Sequence, residues 1–398
     1  MKKVLVIGAG FLQSFVIKKA KELGYFTFAV DANPNAPGFK FADEYAVISI
    51  VDEKACLEYA KEKQVDGVLT AATDYGVLTA AYIAREMRLP GIDYEVAKVI
   101  KNKYSVRKCL YENRVDDTEQ AYLVNEATDL EMLKERLTYP VMVKPCDGSG
   151  SRGAGRVDSS ANLADACRLA MSSSITGRAV VETFIVGEEY GIESFVENGN
   201  IHIMAVMKKW MTAPPNYAEL GHAVPSGLNP QTESYVKKCV IRAIETLKVN
   251  FGSVNMDALI TEDGKVYIVD IGARMGGNLI GSHIIPIGTG VDYMSNIIRA
   301  AVGDNVDFAS AGACPVATRL LALSPGVVKE LPDFCAIEEE CGVKIEHHLH
   351  PGDEITPYRT NLDGCGYVVA TRDNVADASE VAELVRQIVD KKISRCSN

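Results

Sequence analysis

The sequence predicts an α/β protein that opens with a parallel-sheet domain and continues into α+β structure, and three observations carry this. Strand and helix signals alternate through residue 102; a glycine-rich loop follows a short strand at 140–144; and two apolar strands meet near Asp263-Gly264. Alternating units imply parallel strands with crossover helices, whereas strands in succession imply antiparallel pairing.

In order along the chain, residues 3–8 form an apolar run ending at Gly8-Ala9-Gly10. Leu12, Phe15, Val16, Lys19 and Leu23 then recur at helical spacing up to Gly24. Strands are expected at Phe26 to Val30, Ala46 to Ile50 and Gly67 to Thr70, with helices at Ala55 to Lys63 and Gly76 to Met87. Residues 1–102 therefore read as one Rossmann-like domain. A helix through Lys103 to Asn113, strands at 121–124 and 140–144, a helix at 161–171 and a strand at 179–182 open an α+β region. A long antiparallel stretch carries it to residue 305, with a subdomain at about 120–185. Gly- and Pro-punctuated strands and a helix from Ala376 to Val389 make a small α+β domain of 306–398.

A chain of 398 residues suits two to four packed subdomains. Its 47% hydrophobic and 24% charged composition is that of a soluble globular protein, and no apolar run is long enough to cross a bilayer. Met1-Lys2-Lys3 before Val4 to Ile7 imitates a secretory signal, but the small-residue cleavage site is missing, so a buried first strand is expected. Ten scattered cysteines without a CxxC pair point to reduced thiols and a cytoplasmic location. A net charge of -11 argues against a nucleic-acid partner.

Gly8 and Gly10 followed by Asp31 match part of a dinucleotide fingerprint, but Gln13 stands where the third glycine belongs. A tight strand-to-helix corner is the expectation there. The loop Asp147-Gly148-Ser149-Gly150-Ser151-Arg152-Gly153-Ala154-Gly155 lets backbone N–H groups approach phosphates, and Lys144 and Arg152 supply positive charge. It lacks the GxxxxGK[ST] pattern of a P-loop, and a mobile linker is the bland alternative.

If Asp263-Gly264 centres a two-residue hairpin turn, Asp257 faces Asp270 and Asn255 faces Gly272. Opposed carboxylates destabilise a sheet unless positive charge lies between them. Val254, Met256, Leu259, Ile268, Val269 and Ile271 mark both strands as buried, so a divalent cation, Mg²⁺ by its preference for oxygen, is expected there. Arg274 falls on the Asp270 face by alternation.

Taken together these segments resemble the ATP-grasp family over nearly the whole chain, and more particularly its carboxylate-amine ligases of the L-amino acid ligase or carbamoyl phosphate synthase type. The first domain resembles the pre-ATP-grasp domain, with Asp31-Ala32-Asn33-Pro34 and Ala42-Asp43 at its second strand. Residues 103–305 resemble the two-part ATP-grasp fold, with 120–185 as its lid, and 306–398 an end domain completing the substrate site. The resemblance implies that Lys103 and Lys144 contact ATP phosphates or adenine under the loop of Ser149, Gly150, Ser151, Arg152 and Gly153. It implies that Glu182, Thr183, Phe184 and Ile185 form the adenine hinge and that Glu189 takes the ribose. Asp257 and Asp270 fall on the metal-ligand positions and Arg274 on the phosphate-stabilising arginine. Where the family has an Asn ligand this chain has Gly272, and Asn255 across the hairpin is expected to supply the oxygen. His222, in Glu219-Leu220-Gly221-His222-Ala223-Val224-Pro225-Ser226, would be a base or a substrate contact, and Arg319 would hold a substrate carboxylate or brace the core.

The implied activity uses ATP and Mg²⁺, or Mn²⁺ in its place, to activate a carboxylate as an acyl phosphate for attack by an amine, in a cytoplasmic enzyme forming a homodimer. The competing readings are a bicarbonate-activating enzyme of the biotin carboxylase or carbamoyl phosphate kind, and a noncatalytic nucleotide-binding or NAD-dependent protein. His347, His348 and His350 invite a metal reading, but alternation splits them between two faces.

Overall fold

The alternation of the first domain becomes a parallel sheet of β1 (Lys3–Ile7), β2 (Phe26–Asp31), β3 (Glu44–Val47) and β4 (Gly67–Leu69), in the order β3-β2-β1-β4. The computed structural model describes residues 1–148, 152–214 and 216–396. Helices α1 (Phe11–Glu22) and α2 (Glu53–Lys63) supply the crossovers β1 to β2 and β3 to β4, and α3 (Val77–Met87) follows β4. Central β1 is fully buried from Val4 to Ile7, as a strand covered on both faces must be. The glycine corner is closed from within: Gly8 has φ +103°, the Ala9 N–H donates to Asp31 at 2.9 Å, and the Gln13 amide donates to the Ala71 carbonyl at 2.6 Å. Asp31 and Gln13 are thus spent on the corner itself.

Helices α4 (Tyr94–Lys101) and α5 (Lys103–Asn113) meet at Asn102, whose side chain caps α5 by accepting from the Ser105 N–H at 3.0 Å. Next comes an antiparallel sheet of β5 (Tyr122–Val124), β6 (Val141–Pro145), β7 (Gly155–Val157) and β8 (Ala179–Thr183), ordered β5-β8-β6-β7. With α6 (Leu130–Lys134) and α7 (Leu163–Ser172) it encloses its own core around Val141, Val143, Leu163 and Val181.

The rest of the chain contributes β9 (Glu188–Glu197), β10 (Asn200–Met211), β11 (Glu219–Val224), α8 (Pro230–Thr246), β12 (Gly252–Ile260), β13 (Val266–Gly272), α9 (Ile285–Thr289) and α10 (Tyr293–Ala301). It closes with β14 (Val316–Leu320), β15 (Gly326–Glu330), α11 (Phe334–Cys341), β16 (Val343–His347), β17 (Glu354–Ile355), β18 (Gly366–Thr371), α12 (Val375–Lys392) and β19 (Ser394–Cys396). One antiparallel sheet of eight strands runs β13-β12-β9-β10-β11-β14-β18-β16, so three strands from beyond residue 306 extend the sheet of the preceding region. Strands β15, β17 and β19 form a small separate sheet. Helix α8 interrupts what the sequence suggested was a continuous antiparallel stretch. It starts on a recognisable signal, an Asn229 cap accepting from the Thr232 N–H at 2.9 Å with Pro230 in the first turn.

The β12–β13 hairpin sets Asp257 opposite Asp270 and Asn255 opposite Gly272, by a different route from the expected two-residue turn. Thr261 and Lys265 close the turn with a 3.0 Å bond, so three residues form its tip, and a register shift past Asp257 leaves Val269 unpaired. The two departures cancel. The extra residue also lets Ile268 and Ile271 both join Val254 and Met256 against α8, around Val236, Val240 and Ile244. Asn255, Asp257 and Asp270 therefore turn to the other face of the sheet.

Strands β11 and β14 touch too closely for a side chain at Gly221, where a Cβ would lie 2.0 Å from the Thr318 carbonyl oxygen. Gly221→Ala is expected to lower stability by about 1–3 kcal/mol through overpacking. A urea denaturation midpoint equal to that of the native chain would contradict the close approach.

Candidate active site

A lysine that the sequence reading did not single out holds the site face together. Lys209, on β10, has a fully buried side chain whose Nζ lies 2.7 Å from Glu189, 2.9 Å from Glu219 and 2.9 Å from Asp257. Gly191 lies beneath it, where a Cβ would come within 3.6 Å of Lys209 Cδ and 3.7 Å of the His222 ring. One ammonium shared among three acids does not satisfy them equally. Burial, with Glu189, Glu219 and Asp270 nearby, pushes the Asp257 carboxyl up to about 7 despite Lys209.

Asp270 has the opposite surroundings. Lys103, at the start of α5, donates to it, and Lys144 and Arg107 stand nearby; against the effect of burial, these cations hold its carboxyl at about 2. Lys144 and Arg107 also clamp Glu182, at 2.6 and 2.7 Å. Cationic side chains thus stand beside both of the facing acids. Asp270 finds Lys103, and Asp257 shares Lys209 with Glu189 and Glu219. The Glu182 carboxylate is likewise spent on ion pairs within the hinge, which leaves the backbone of that segment for any base recognition.

Burial opposes ionisation of Glu182, yet Lys144 and Arg107 lower its carboxyl from an ordinary 4.5 to about 2. A depressed folded pKa contributes stability that is complete above the unfolded value and lost as pH falls through the folded one. Glu182→Gln is therefore expected to remove, between about pH 4.5 and 2, an acid sensitivity on the order of 3 kcal/mol at most. Urea melts of the native chain and the variant across that range would show it as converging stabilities at the acid end.

Arg274 pairs with Asp74 of the first domain, Nε to Oδ1 at 2.8 Å and Nη2 to Oδ2 at 3.1 Å. Gly272 makes this pair possible: a Cβ there would sit 2.9 Å from Asp74 Oδ1 and 3.1 Å from Arg274 Cζ. Asn255 donates its amide to Glu193 at 2.9 Å and accepts from Arg274 at 3.4 Å. Glu193 is fully buried and also takes the Tyr293 hydroxyl at 2.9 Å and the Gly276 N–H at 3.2 Å; burial pushes its carboxyl up to about 8 against these bonds. Both faces of the Asn255 amide are thereby oriented.

His222 lies beside Lys209 on the same face, buried, with its imidazole lowered to about 4 by burial and by Lys209 and Arg319 against the pull of Glu219. Such a ring is neutral near pH 7 and a weak proton acceptor. Arg319 does not join it. Its guanidinium lies 3.8 Å over the Trp210 ring and bonds the Thr318 carbonyl at 3.0 Å and Ser379 of α12 at 2.5 Å, on the opposite face of the sheet. Of the two readings left open for Arg319, these contacts support the brace: its guanidinium lies beside Gly221, which pairs with Trp210, while His222 and Lys209 alternate with them.

Ser149, Gly150 and Ser151 lie outside the described residues. At the loop's edge Arg152 donates to the Tyr75 hydroxyl, Gly153 has φ +68°, and Gly148 lines a small pocket with Asp74, Lys101, Lys103, Asp270 and Gly272. In the hinge Thr183 donates to Glu119 at 2.7 Å, Arg156 lies 4.6 Å over the Phe184 ring, and Ile185 follows the end of β8. The three terminal-domain histidines diverge: His347 stacks on Phe334 at 4.0 Å, His348 meets Phe11 at 5.2 Å, and His350 is exposed. Among the described residues no group of three or more His, Cys, Asp or Glu side chains could hold a metal by itself, and no helix is long and apolar enough to cross a membrane.

Known proteins match this arrangement from end to end. Family models for the ribonucleotide synthetase preATP-grasp domain, the ATP-grasp domain and the L-amino acid ligase C-terminal domain 2 match residues 1–88, 137–282 and 319–393. The structure of L-amino acid ligase from Bacillus licheniformis superposes with a TM-score of 0.83 at 20% identity, covering 100% of this chain and 99% of that one. Phosphoribosylglycinamide synthetase from Anaerococcus prevotii gives 0.78 at 23% identity, with 100% of both chains covered. Biotin carboxylase from Pseudomonas aeruginosa is 22% identical over 99% of this chain and 91% of its own. The chain thus carries an ATP-grasp domain at 137–282, preceded by a preATP-grasp-like domain and followed by an L-amino acid ligase C-terminal domain.

Proposed function

We propose that the chain is an ATP- and Mg²⁺-dependent ligase that activates a carboxylate as an acyl phosphate and passes the acyl group to an amine, yielding an amide, ADP and phosphate. The observation that carries this reading is the convergence of Lys103, Lys144 and Arg274 with the opposed Asp257 and Asp270 on one sheet face. The match of residues 319–393 to an L-amino acid ligase domain favours an amine as acceptor. Domains of 1–102, 103–305 and 306–398 belong to the same proposal, as do a homodimer and a cytoplasmic location, the latter supported by ten free cysteines.

The residues present fit Mg²⁺ with a nucleotide, since that ion characteristically takes one or two protein carboxylates and leaves the rest of its shell to phosphates and water. Asp257 and Asp270 would hold it, with Asn255 as a further oxygen, and it would neutralise charge on the phosphate oxygens. The backbone of Glu182 to Ile185 would hold adenine and Glu189 the ribose. Lys103 and Lys144 would take nucleotide oxygens, and Arg274 the phosphoryl group in transfer. A substrate carboxylate oxygen attacks the terminal phosphorus as the bond to the ADP oxygen breaks. The amine then attacks the acyl carbon, phosphate departs, and one amine proton is lost.

A bicarbonate-activating enzyme is the second reading, favoured by the biotin carboxylase relative and by a 2-oxoglutarate carboxylase domain from Hydrogenobacter thermophilus crystallised with MgADP and bicarbonate. Phosphate release from MgATP, screened over paired acids and amines with mass analysis of products, separates the two. Release that needs both an acid and an amine supports the ligase. Release with bicarbonate alone supports the alternative, and a chain that takes up no nucleotide would end both.

A further inference from the structure

The pocket beside Asp270 contains a cation for which the proposed chemistry has no task. Lys101 is the last residue of α4, and its Nζ is buried without a hydrogen-bond partner. The other cations around this pocket are engaged: Lys103 with Asp270, Arg274 with Asp74 at 2.8 Å, Lys144 with Glu182 at 2.6 Å, and Arg152 with the Tyr75 hydroxyl. No ion pair joins Lys101 to a carboxylate among the described residues; Asp74, the acid beside it in the pocket wall, is taken by Arg274. Its nearest described support is the Tyr75 ring, 4.7 Å from Nζ, which Arg152 approaches at 5.7 Å. Both cations thus approach the Tyr75 ring.

A buried ammonium without a counter-charge is costly, and a cation–π contact offsets only part of that cost. Burial, Lys103 and Arg274 together lower its affinity for the proton, although Asp74 and Asp147 oppose them. An anion entering the pocket would relieve this. Asp74, Lys101, Asp270 and Gly272 line this pocket together. Nucleotide phosphates already have Lys103, Lys144 and Arg274 in the reading above, whereas Lys101 stands toward the Asp74–Tyr75 loop of the first domain.

We propose that Lys101 binds the carboxylate awaiting phosphorylation and holds its oxygen toward the terminal phosphorus, a specificity-determining contact that rests on the ligase reading.

The test compares the native full-length chain with Lys101→Met and Lys101→Arg. The acid is the one giving the fastest phosphate release in the screen, or bicarbonate if bicarbonate alone supports release. Expected are a KM for that acid raised at least tenfold in Lys101→Met and largely restored in Lys101→Arg. MgADP affinity by calorimetry should stay within twofold, and the Met variant should melt no lower than the native chain because it loses an unpaired buried charge. A parallel loss of MgADP affinity would overturn the assignment in favour of a phosphate contact. A lower melting temperature with an unchanged KM would overturn it in favour of a packing role. Absence of any MgADP heat from the native chain would instead overturn the nucleotide reading and this contact with it.

Discussion

Lys209→Met is expected to destabilise the protein by about 3–5 kcal/mol, the usual result of removing one partner from a buried ionic cluster. Methionine fills much of the lysine's volume, so the loss reports charge more than packing. Glu189, Glu219 and Asp257 would then share a buried space with no ammonium within 3 Å, where each now has one. Asp257, already raised by burial, would lose the cation that opposes the rise. A raised folded pKa on an acid means that the native state binds more protons than the unfolded one, so the variant should regain stability as pH falls from about 8 to 5. Urea midpoints over that range would reveal it; a variant as stable as the native chain at pH 8 would show that the three acids do not depend on Lys209. Phosphate release should fall by at least about a hundredfold, because the acid assigned to metal and the one assigned to ribose both lose their fixed positions.

Arg274→Lys is expected to lower kcat by about 10²–10³ while leaving the KM for MgATP within a few-fold, the pattern for a group that acts on charge developing in transfer. Lysine does not substitute, because the guanidinium reaches Asp74 and Asn255 at once with a planar fork, whereas an ammonium is a single point charge. Initial rates of ADP formation at saturating MgATP measure it. A rise in KM with kcat preserved would place Arg274 in ground-state binding. Asp74→Asn should reproduce part of the loss, since the arginine would keep its charge but lose its ionic anchor.

The legible parts of the site were those built from neighbours in sequence. Asp257 and Asp270 could be placed face to face because one short turn joins their strands, although the route included a longer turn and an unpaired Val269 that no spacing rule announces. Lys209 escaped because its partners come from β9, β11 and β12, and nothing local relates positions 189, 219 and 257. The signal available was the pair Lys208-Lys209 within the apolar stretch Ile203 to Met211, where alternation buries one of the two and so demands a counter-charge. Asp74 was hidden for the same reason, two hundred residues before the arginine it holds. Arg319 was left between two readings because a lone strand residue does not reveal which face of the sheet it joins; the pairing of β11 with β14 bears on that. The first domain, by contrast, is a succession of local strand and helix signals and was readable nearly throughout.

The continuity of the large sheet across residue 306 bears on how this protein can be cut. A fragment ending at 305 would strip β14 from β11 and expose the backbone of the strand carrying His222 as an unpaired edge. Such a fragment would invite strand pairing with other molecules and precipitate, so the segment beyond 305 cannot be removed as a detachable module.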